Sequence, residues 1–351
     1  MNGHQGFSAL RRHAGLWLPE IEATLRRLLE GGRPEAQGMY GMLRYHLGWE
    51  DAQGQPEQAP QGKRVRPLVV LMACQAAGGD PTQALPAAAA VELVHNFSLI
   101  HDDIEDGSPT RRHRPTLWTV AGEAQAINAG DAMFTLARLG LQGLSEAGVA
   151  DARVLRCLRL FDRTCLHLTE GQYQDMSFET RSRVTPTEYL TMIGGKTAAL
   201  LAASAQLGAL VVSDDVTNSE HYWRFGHELG LSFQVQDDIL GIWGDEALTG
   251  KSAASDILTR KKTLPMHYAL AQPGPDGDVL RAAYTAGPDL TTEDLPAILA
   301  RLERLGARQH AESATHTHAE AALDALEATG GNAEGVALLR ELALMLLGRQ
   351  T

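Results

Sequence analysis

The 351-residue sequence predicts an all-α fold. Three observations carry that prediction. Apolar residues recur at three- and four-residue spacing through most of the chain, the period of one helix face. Aromatic residues make up only 5% and period-two alternation is rare, so strand signals are almost absent. Ala, Leu, Glu and Arg, all good helix formers, fill the periodic segments.

Taken in order, "LPEIEATLRRLLEG" (Leu18 to Gly31) is an amphipathic helix stopped by Gly31, Gly32 and Pro34. "PEAQGMYGMLRYHLGW" reads as a second helix, and "EDAQGQPEQAPQG" (Glu50 to Gly62) as a loop. "RPLVVLMACQAAGG" is a helix ending in a glycine pair. "LPAAAAVELVHNFSLIHDDIED" is a long helix starting near Pro86. Further helices are expected around 124–146, 151–179, 186–212, 216–240, 263–271, 277–285, 292–305, 308–328 and 332–347. No internal repeat or long linker divides the pattern. The chain is read as one all-α domain over 1–351: N-terminal helices and loop in 1–61, a catalytic core in 62–271, C-terminal helices in 272–351.

The net charge of −12 argues against a general nucleic-acid surface. Cys74, Cys157 and Cys165 are odd in number and lie in apolar segments, which fits reduced core thiols in the cytoplasm rather than a disulfide framework. No secretory signal opens the sequence. Thr197–Val212 is apolar, but a membrane span needs about 20 such residues. It carries Ser204 and Gln206 and is read as a buried helix, not a transmembrane segment.

The chemistry starts with carboxylates. Asp102 and Asp106 are four apart and share a helix face, with Asp103 alongside. Such a cluster repels itself, and at a helix C-terminus it also opposes the helix dipole. Mg²⁺ relieves this best, because it takes oxygen ligands, keeps waters and is shared with substrate phosphates. A solvated acidic helix end is the plain alternative. A second pair, Asp237 and Asp238, ends another long apolar helix, with Gln234 one turn earlier. Asp245 and Asp256 follow, and so do Lys251, Lys261 and Lys262. Two oily helices, each ending in an Asp pair followed by bases, read as two walls of one site. Metals sit on the acids and phosphate oxygens on the cations.

"GKRVRP" places Lys63, Arg64 and Arg66 at a helix entry, where guanidinium forks and free N–H groups suit phosphate. His95 lies two turns before Asp102 on the same face, either a core residue or a phosphate donor. Phe97 is core packing or the floor of an apolar channel. His316 and His318, at i, i+2, do not share a helix face, and their stretch is read as solvated surface.

Together, "GKRVRP", "LIHDDIED", "RRHRPT", "INAGD", "EGQYQD", "GGKTAAL", "FQVQDD" and "GKSAASDILTRKKTLP" stand in the order found in one family. Each is weak alone; eight in order are specific. From about Gly62 to Pro265 the chain resembles the trans-isoprenyl diphosphate synthases (polyprenyl synthetases) of the short-chain, farnesyl or geranylgeranyl type. The resemblance implies a single antiparallel helical barrel around a central cavity, usually a homodimer. It implies a Mg²⁺-dependent prenyltransferase that condenses isopentenyl diphosphate with an allylic diphosphate (dimethylallyl, geranyl or farnesyl). About three ions would bridge aspartates and diphosphate.

By the same resemblance, Asp102, Asp103 and Asp106 would hold Mg²⁺ against the allylic diphosphate, and Asp237 and Asp238 another ion. Arg111, Lys196 and Lys261 would contact the allylic diphosphate, with Lys251 a further substrate cation. Lys63, Arg66, His95 and Arg112 would bind isopentenyl diphosphate. Thr197 and Gln234 match positions near the reacting carbons. Phe97, five residues before the first Asp, implies a short product of C15 to C20, with geranylgeranyl diphosphate favoured. The sequence departs from the pattern at Gly241, where the second motif usually has its third Asp and Asp245 lies one turn further. Gln61 and Ala254 stand where glycines are usual. The weakened second motif leaves two alternatives: a class I terpene cyclase on the same fold, and a non-catalytic subunit of a synthase.

Overall fold

The computed structural model describes residues 7–60, 62–181, 184–244, 255–285 and 289–348. The helices are α1 (Ser8–Leu29), α2 (Gln37–His46), α3 (Val65–Ala76), α4 (Leu85–Glu105), α5 (Leu117–Ala121), α6 (Glu123–Gln142), α7 (Asp151–Thr180) and α8 (Pro186–Ile193). They continue with α9 (Ala199–Val212), α10 (Val216–Trp243), α11 (Ser255–Leu258), α12 (Leu264–Ala271), α13 (Pro275–Thr285), α14 (Leu295–Arg304), α15 (Ala307–Ala328) and α16 (Ala333–Leu347). The all-α expectation holds.

Several local features differ from it, and the short helices α5 and α11 are not expected from the sequence. Helix α1 begins at Ser8 rather than Leu18 and takes Pro19 into its length. The helix expected over 186–212 is interrupted by a π-helical turn, Gly194–Ala198. Two short strands, β1 (Thr110–Arg111) and β2 (Arg114–Pro115), form a hairpin with Thr110 opposite Pro115 and Arg111 opposite Arg114. Two residues per strand leave no alternation for sequence reading to detect.

The chain divides into two compact units. One comprises Met1–Asp162, Ala203–Glu220 and Gly331–Leu339; the other comprises Arg163–Ala202, His221–Gly330 and Arg340–Thr351. In the first, α4 packs against α3 and most extensively against α6. Ala87, Ala88, Ala89 and Ala90 are fully buried, and their small side chains let neighbouring helices approach closely. Leu68, Val69, Val70, Leu71 and Met72 of α3 are also buried. Each such side chain contributes about 1.5–3 kcal/mol on leaving water.

In the second unit, Tyr189 and Met192 of α8 share a core with Leu231, Val235 and Ile239 of α10, Leu264 of α12 and Ala311 of α15. A neighbouring cluster joins Ile242, Ile257, Met266, Leu280, Tyr284, Ile298 and Leu302. Together these clusters seat the C-terminal end of α10. The apolar run Pro186–Val212, mean hydropathy 1.4, has 78% of its most apolar window buried inside the protein, as expected of a core helix. Cys74, Cys157 and Cys165 are buried, and none is joined in a disulfide. Burial pushes the Cys74 and Cys157 thiols up to about 12.

Candidate active site

Helix α4 delivers the first carboxylates. The Asp106 N–H donates to the Asp102 carbonyl at 2.8 Å, so the two residues lie one turn apart. Asp102 is half-buried and Asp106 exposed. Asp103 does not stand alongside them. It is 2% exposed, turned into the protein, and accepts a hydrogen bond from Arg111 Nε at 2.8 Å. Burial raises its carboxyl above the ordinary range, against the pull of Arg111.

The hairpin that carries Arg111 bends through Arg112 and His113, both left-handed with φ of 52° and 63°. A two-residue hairpin turn of this kind usually takes Asn-Gly. Among the described residues, the other non-glycine residues with positive φ are Arg64 and Arg260. Each such residue costs on the order of 1–3 kcal/mol, and strain of this kind gathers at ligand sites. Here it gathers on basic residues flanking the acids. Gly62 lets the Arg112 guanidinium come close: a Cβ there would lie 2.9 Å from its Nη2. Arg114 anchors the hairpin by donating to the Tyr45 and Glu50 carbonyls at 3.0 and 3.1 Å.

Behind the hairpin, Arg66, Arg111, Arg112, His95 and His46 lie close enough to act on one another electrostatically. Arg66 Nε is buried with no hydrogen-bond partner. Burial, then Arg66, Arg112 and Arg111, hold His95 far below the usual imidazole range. Burial, then Arg111 and Arg112, bring His46 down to about 3. Burial also lowers Arg66 and Arg112. Positive groups crowded together and withdrawn from water are costly until an anion joins them. His46 was missed by sequence reading, because it ends α2 and no local pattern ties it to His95.

Arg64 was grouped with its neighbours as a phosphate ligand, and the structure corrects this. Its side chain is 4% exposed and bonds Glu22 at 2.7 Å and Glu92 at 2.6 Å. Asn96 Nδ2 also donates to Glu92. Arg64 is therefore a buried anchor, whereas Lys63 next to it is exposed. Phe97, half-buried on α4, meets Phe134 of α6 with ring centroids 5.3 Å apart, and His101 at 4.9 Å. The counterpart that faces Phe97 is thus a second aromatic ring.

The second acidic pair splits in the same way. Asp237 is half-buried. Asp238 is 1% exposed and accepts from Tyr189 Oη at 2.6 Å, Leu264 N at 3.1 Å and Gln234 Nε2 at 3.2 Å. Burial raises it to about 6, with Lys261 and those donors opposing. Gln234 Oε1 in turn accepts from Thr197 Oγ1 at 3.0 Å, so the sequence-derived pair is brought together. Lys196 sits in the π turn. Gly171 and Gly195 let that turn touch α7 backbone to backbone, and Lys196 ion-pairs with Asp175. Such π turns often mark functional sites. Lys261 is exposed, with Nζ 4.0 Å from Asp256 Oδ2.

Gly241 has a physical explanation. A Cβ at that position would lie 2.1 Å from Asp256 Oδ2, so the Asp256 carboxylate occupies the space beside the glycine. Tyr189 and Asp175 are not among the expected site residues, because their partners are distant in sequence; Asp256 is one of the acids read after the second pair.

Gln61, Asp245, Lys251 and Ala254 lie outside the described residues. His318, read as solvated, is half-buried with Nδ1 2.7 Å from Glu228 Oε2, while His316 is exposed as expected. Among the described residues no three His, Cys, Asp or Glu side chains gather to hold a metal. Mg²⁺ does not need such a cage. It takes one or two carboxylates and completes its shell with water and substrate phosphate; Asp102 with Asp106 on α4, and Asp237 on α10, each offer such carboxylates.

The polyprenyl synthetase family model matches residues 55–301. Among curated proteins, a (2E,6E)-farnesyl diphosphate synthase of Mycobacterium tuberculosis is 40% identical over 333 residues, covering 94% of this chain and 90% of that protein. A geranylgeranyl diphosphate synthase of the same organism is 41% identical over 303 residues, covering 86% of this chain and 85% of its own length. Among solved structures, a polyprenyl synthetase from Streptomyces coelicolor A3(2) superposes with a TM-score of 0.88 at 37% identity, covering 98% of this chain and 100% of its own. A geranylgeranyl pyrophosphate synthase from Corynebacterium glutamicum, complexed with isoprenyl diphosphate and magnesium, gives 0.79 at 26% identity over 95% of this chain and 99% of its own.

Fold and site define an isoprenoid synthase. The chain belongs to the polyprenyl synthetase family and is a prenyl-transferring enzyme.

Proposed function

We propose that the protein condenses isopentenyl diphosphate with an allylic diphosphate to give a linear trans-prenyl diphosphate of C15 to C20. The observation that carries this reading is the arginine–histidine nest with the unpartnered Arg66 Nε. A cyclase or an idle subunit has no use for a second anion site, and close relatives over most of the chain are synthases. Isopentenyl diphosphate takes the nest, through Arg66, Arg112 and neutral His95, with Lys63 from the exposed rim.

The allylic diphosphate is held by Arg111, Lys196 and Lys261. Asp102, Asp106 and Asp237 would hold Mg²⁺, which would supply positive charge at the leaving group. Asp103 and Asp238 act by holding Arg111 and Gln234 in place. Thr197 and Gln234 orient the reacting carbons. The allylic C–O bond breaks, the isopentenyl double bond attacks the cation, and a proton is lost to the departed diphosphate. Apolar walls keep water from the cation. Phe97 and Phe134 close the chain channel at a short product.

A homodimer in the cytoplasm completes the reading. Helices α6 and α7 expose Ile127, Leu139, Leu155, Leu166 and Tyr173, apolar side chains that a second copy would cover. Incubation of the purified protein with Mg²⁺, isopentenyl diphosphate and each allylic diphosphate, with products weighed by mass spectrometry, tests the proposal. Linear C15 or C20 diphosphates are expected. A hydrocarbon made with isopentenyl diphosphate ignored would sink it.

A further inference from the structure

A cavity of about 280 Å³ lies in the second unit, lined by Arg181, Lys262, Arg281 and His267 beside the apolar Val184 and Leu270. No carboxylate is among its described lining residues. The cations are held rigidly. Arg181 pairs with Glu188 at 2.6 Å. Lys262 Nζ donates to the Phe178 and Arg181 carbonyls at 2.9 and 2.8 Å. Arg281 donates to the Leu270 and Gln272 carbonyls at 2.6 and 2.9 Å and pairs with Asp278.

His267 is 2% exposed, and its Nε2 has no hydrogen-bond partner. Burial, then the Lys262 charge, brings its imidazole down to about 4, so the ring is neutral. A buried ring nitrogen without a partner is costly, and such groups call for an explanation. Three cations and an unpartnered imidazole around a void match a phosphate group, whose oxygens accept from arginine and lysine.

We propose that this cavity is a second, non-catalytic binding site for a phosphate group, distinct from the acids and the nest described above. Its position gives it a lever. The His267 ring lies against Tyr189 with centroids 5.0 Å apart, and the Tyr189 hydroxyl bonds Asp238. A phosphate here bears on the second acidic pair through one side chain. The inference rests on the cavity itself and not on the reaction proposed.

The test uses the full chain labelled with ¹³C-histidine, in EDTA. The probes are inorganic phosphate and phenyl phosphate, and the His267 resonance is assigned by its loss in His267→Phe. That resonance should shift and saturate. Arg181→Met should raise the half-saturating concentration about tenfold or more, the scale of a lost charge-assisted hydrogen bond. Tighter phenyl phosphate identifies an ester with an apolar tail; equal binding identifies free phosphate. A His267 resonance unmoved by tens of millimolar of either probe overturns the inference. So does a shift that survives Arg181→Met but vanishes in Arg112→Met, which would place the anion in the nest and leave the proposed reaction standing.

Discussion

The ends of α4 and α10 carry the same sequence device, an Asp pair closing an apolar helix, yet their surroundings differ. Around α4, charge is left unbalanced. Asp106 is exposed, and Arg66 buries a nitrogen with no partner. Around α10, balance is nearly complete within the protein. Asp238 takes three donors, and Lys196 already holds Asp175. The lesson is that one motif serves two ends: unmatched charge waits for ligand, while matched charge positions the residues beside it.

The largest effect expected to test this contrast is at Asp102. Asp102→Ala should lower turnover about 10³-fold or more, the scale of removing a preorganised charge-stabilising group, with the helical circular dichroism unchanged. Near-normal turnover would break the comparison on the α4 side. Next, Arg66→Met should raise the KM for isopentenyl diphosphate about 10- to 100-fold, as a lost charged hydrogen bond does, while leaving the KM for the allylic diphosphate near normal. An equal rise for both substrates would remove the distinction between nest and acids.

On the α10 side, Gly241→Asp restores the usual third aspartate and should still fail to improve the enzyme. Its Cβ would meet Asp256 Oδ2 at 2.1 Å. Overpacking of this kind costs about 1–3 kcal/mol, read as a lower thermal midpoint together with lower turnover. A gain in turnover would show that Asp256 yields easily.

The smallest effect concerns acid stability. His46 titrates near 3 in the folded chain, against about 6.5 when unfolded. Between those values the unfolded chain binds the extra proton, so this contribution to stability is present above pH 6.5 and lost as pH falls toward 3. His46→Asn should therefore lose less stability than the native chain between pH 7 and pH 5, by about 1–2 kcal/mol in denaturant titrations. Equal losses would show that burial and the neighbouring arginines do not hold His46 neutral in the folded chain.

Much of the site was legible because its signals are local. DDxxD spacing on one helix face, "GKRVRP" at a helix entry and "RRHRPT" after the acids all survive as short strings. Arg64 and Arg66 show where legibility stops. They are two residues apart in one motif, yet Arg64 turns to Glu22 and Glu92 while Arg66 keeps an unpartnered nitrogen. The partners of Arg64 come from α1 and α4, so no local rule separates the two arginines. His46 and Tyr189 were missed for the same reason: each acts on a residue far away in the chain.

The helices, and the residue types able to bind Mg²⁺ and diphosphate, followed from the sequence alone, because periodicity and motif spacing act within a few turns. Which carboxylate faces solvent and which is buried, which arginine anchors and which waits, and why residue 241 must be small were decided by tertiary packing. Burial and pairing depend on neighbours that only the fold brings together.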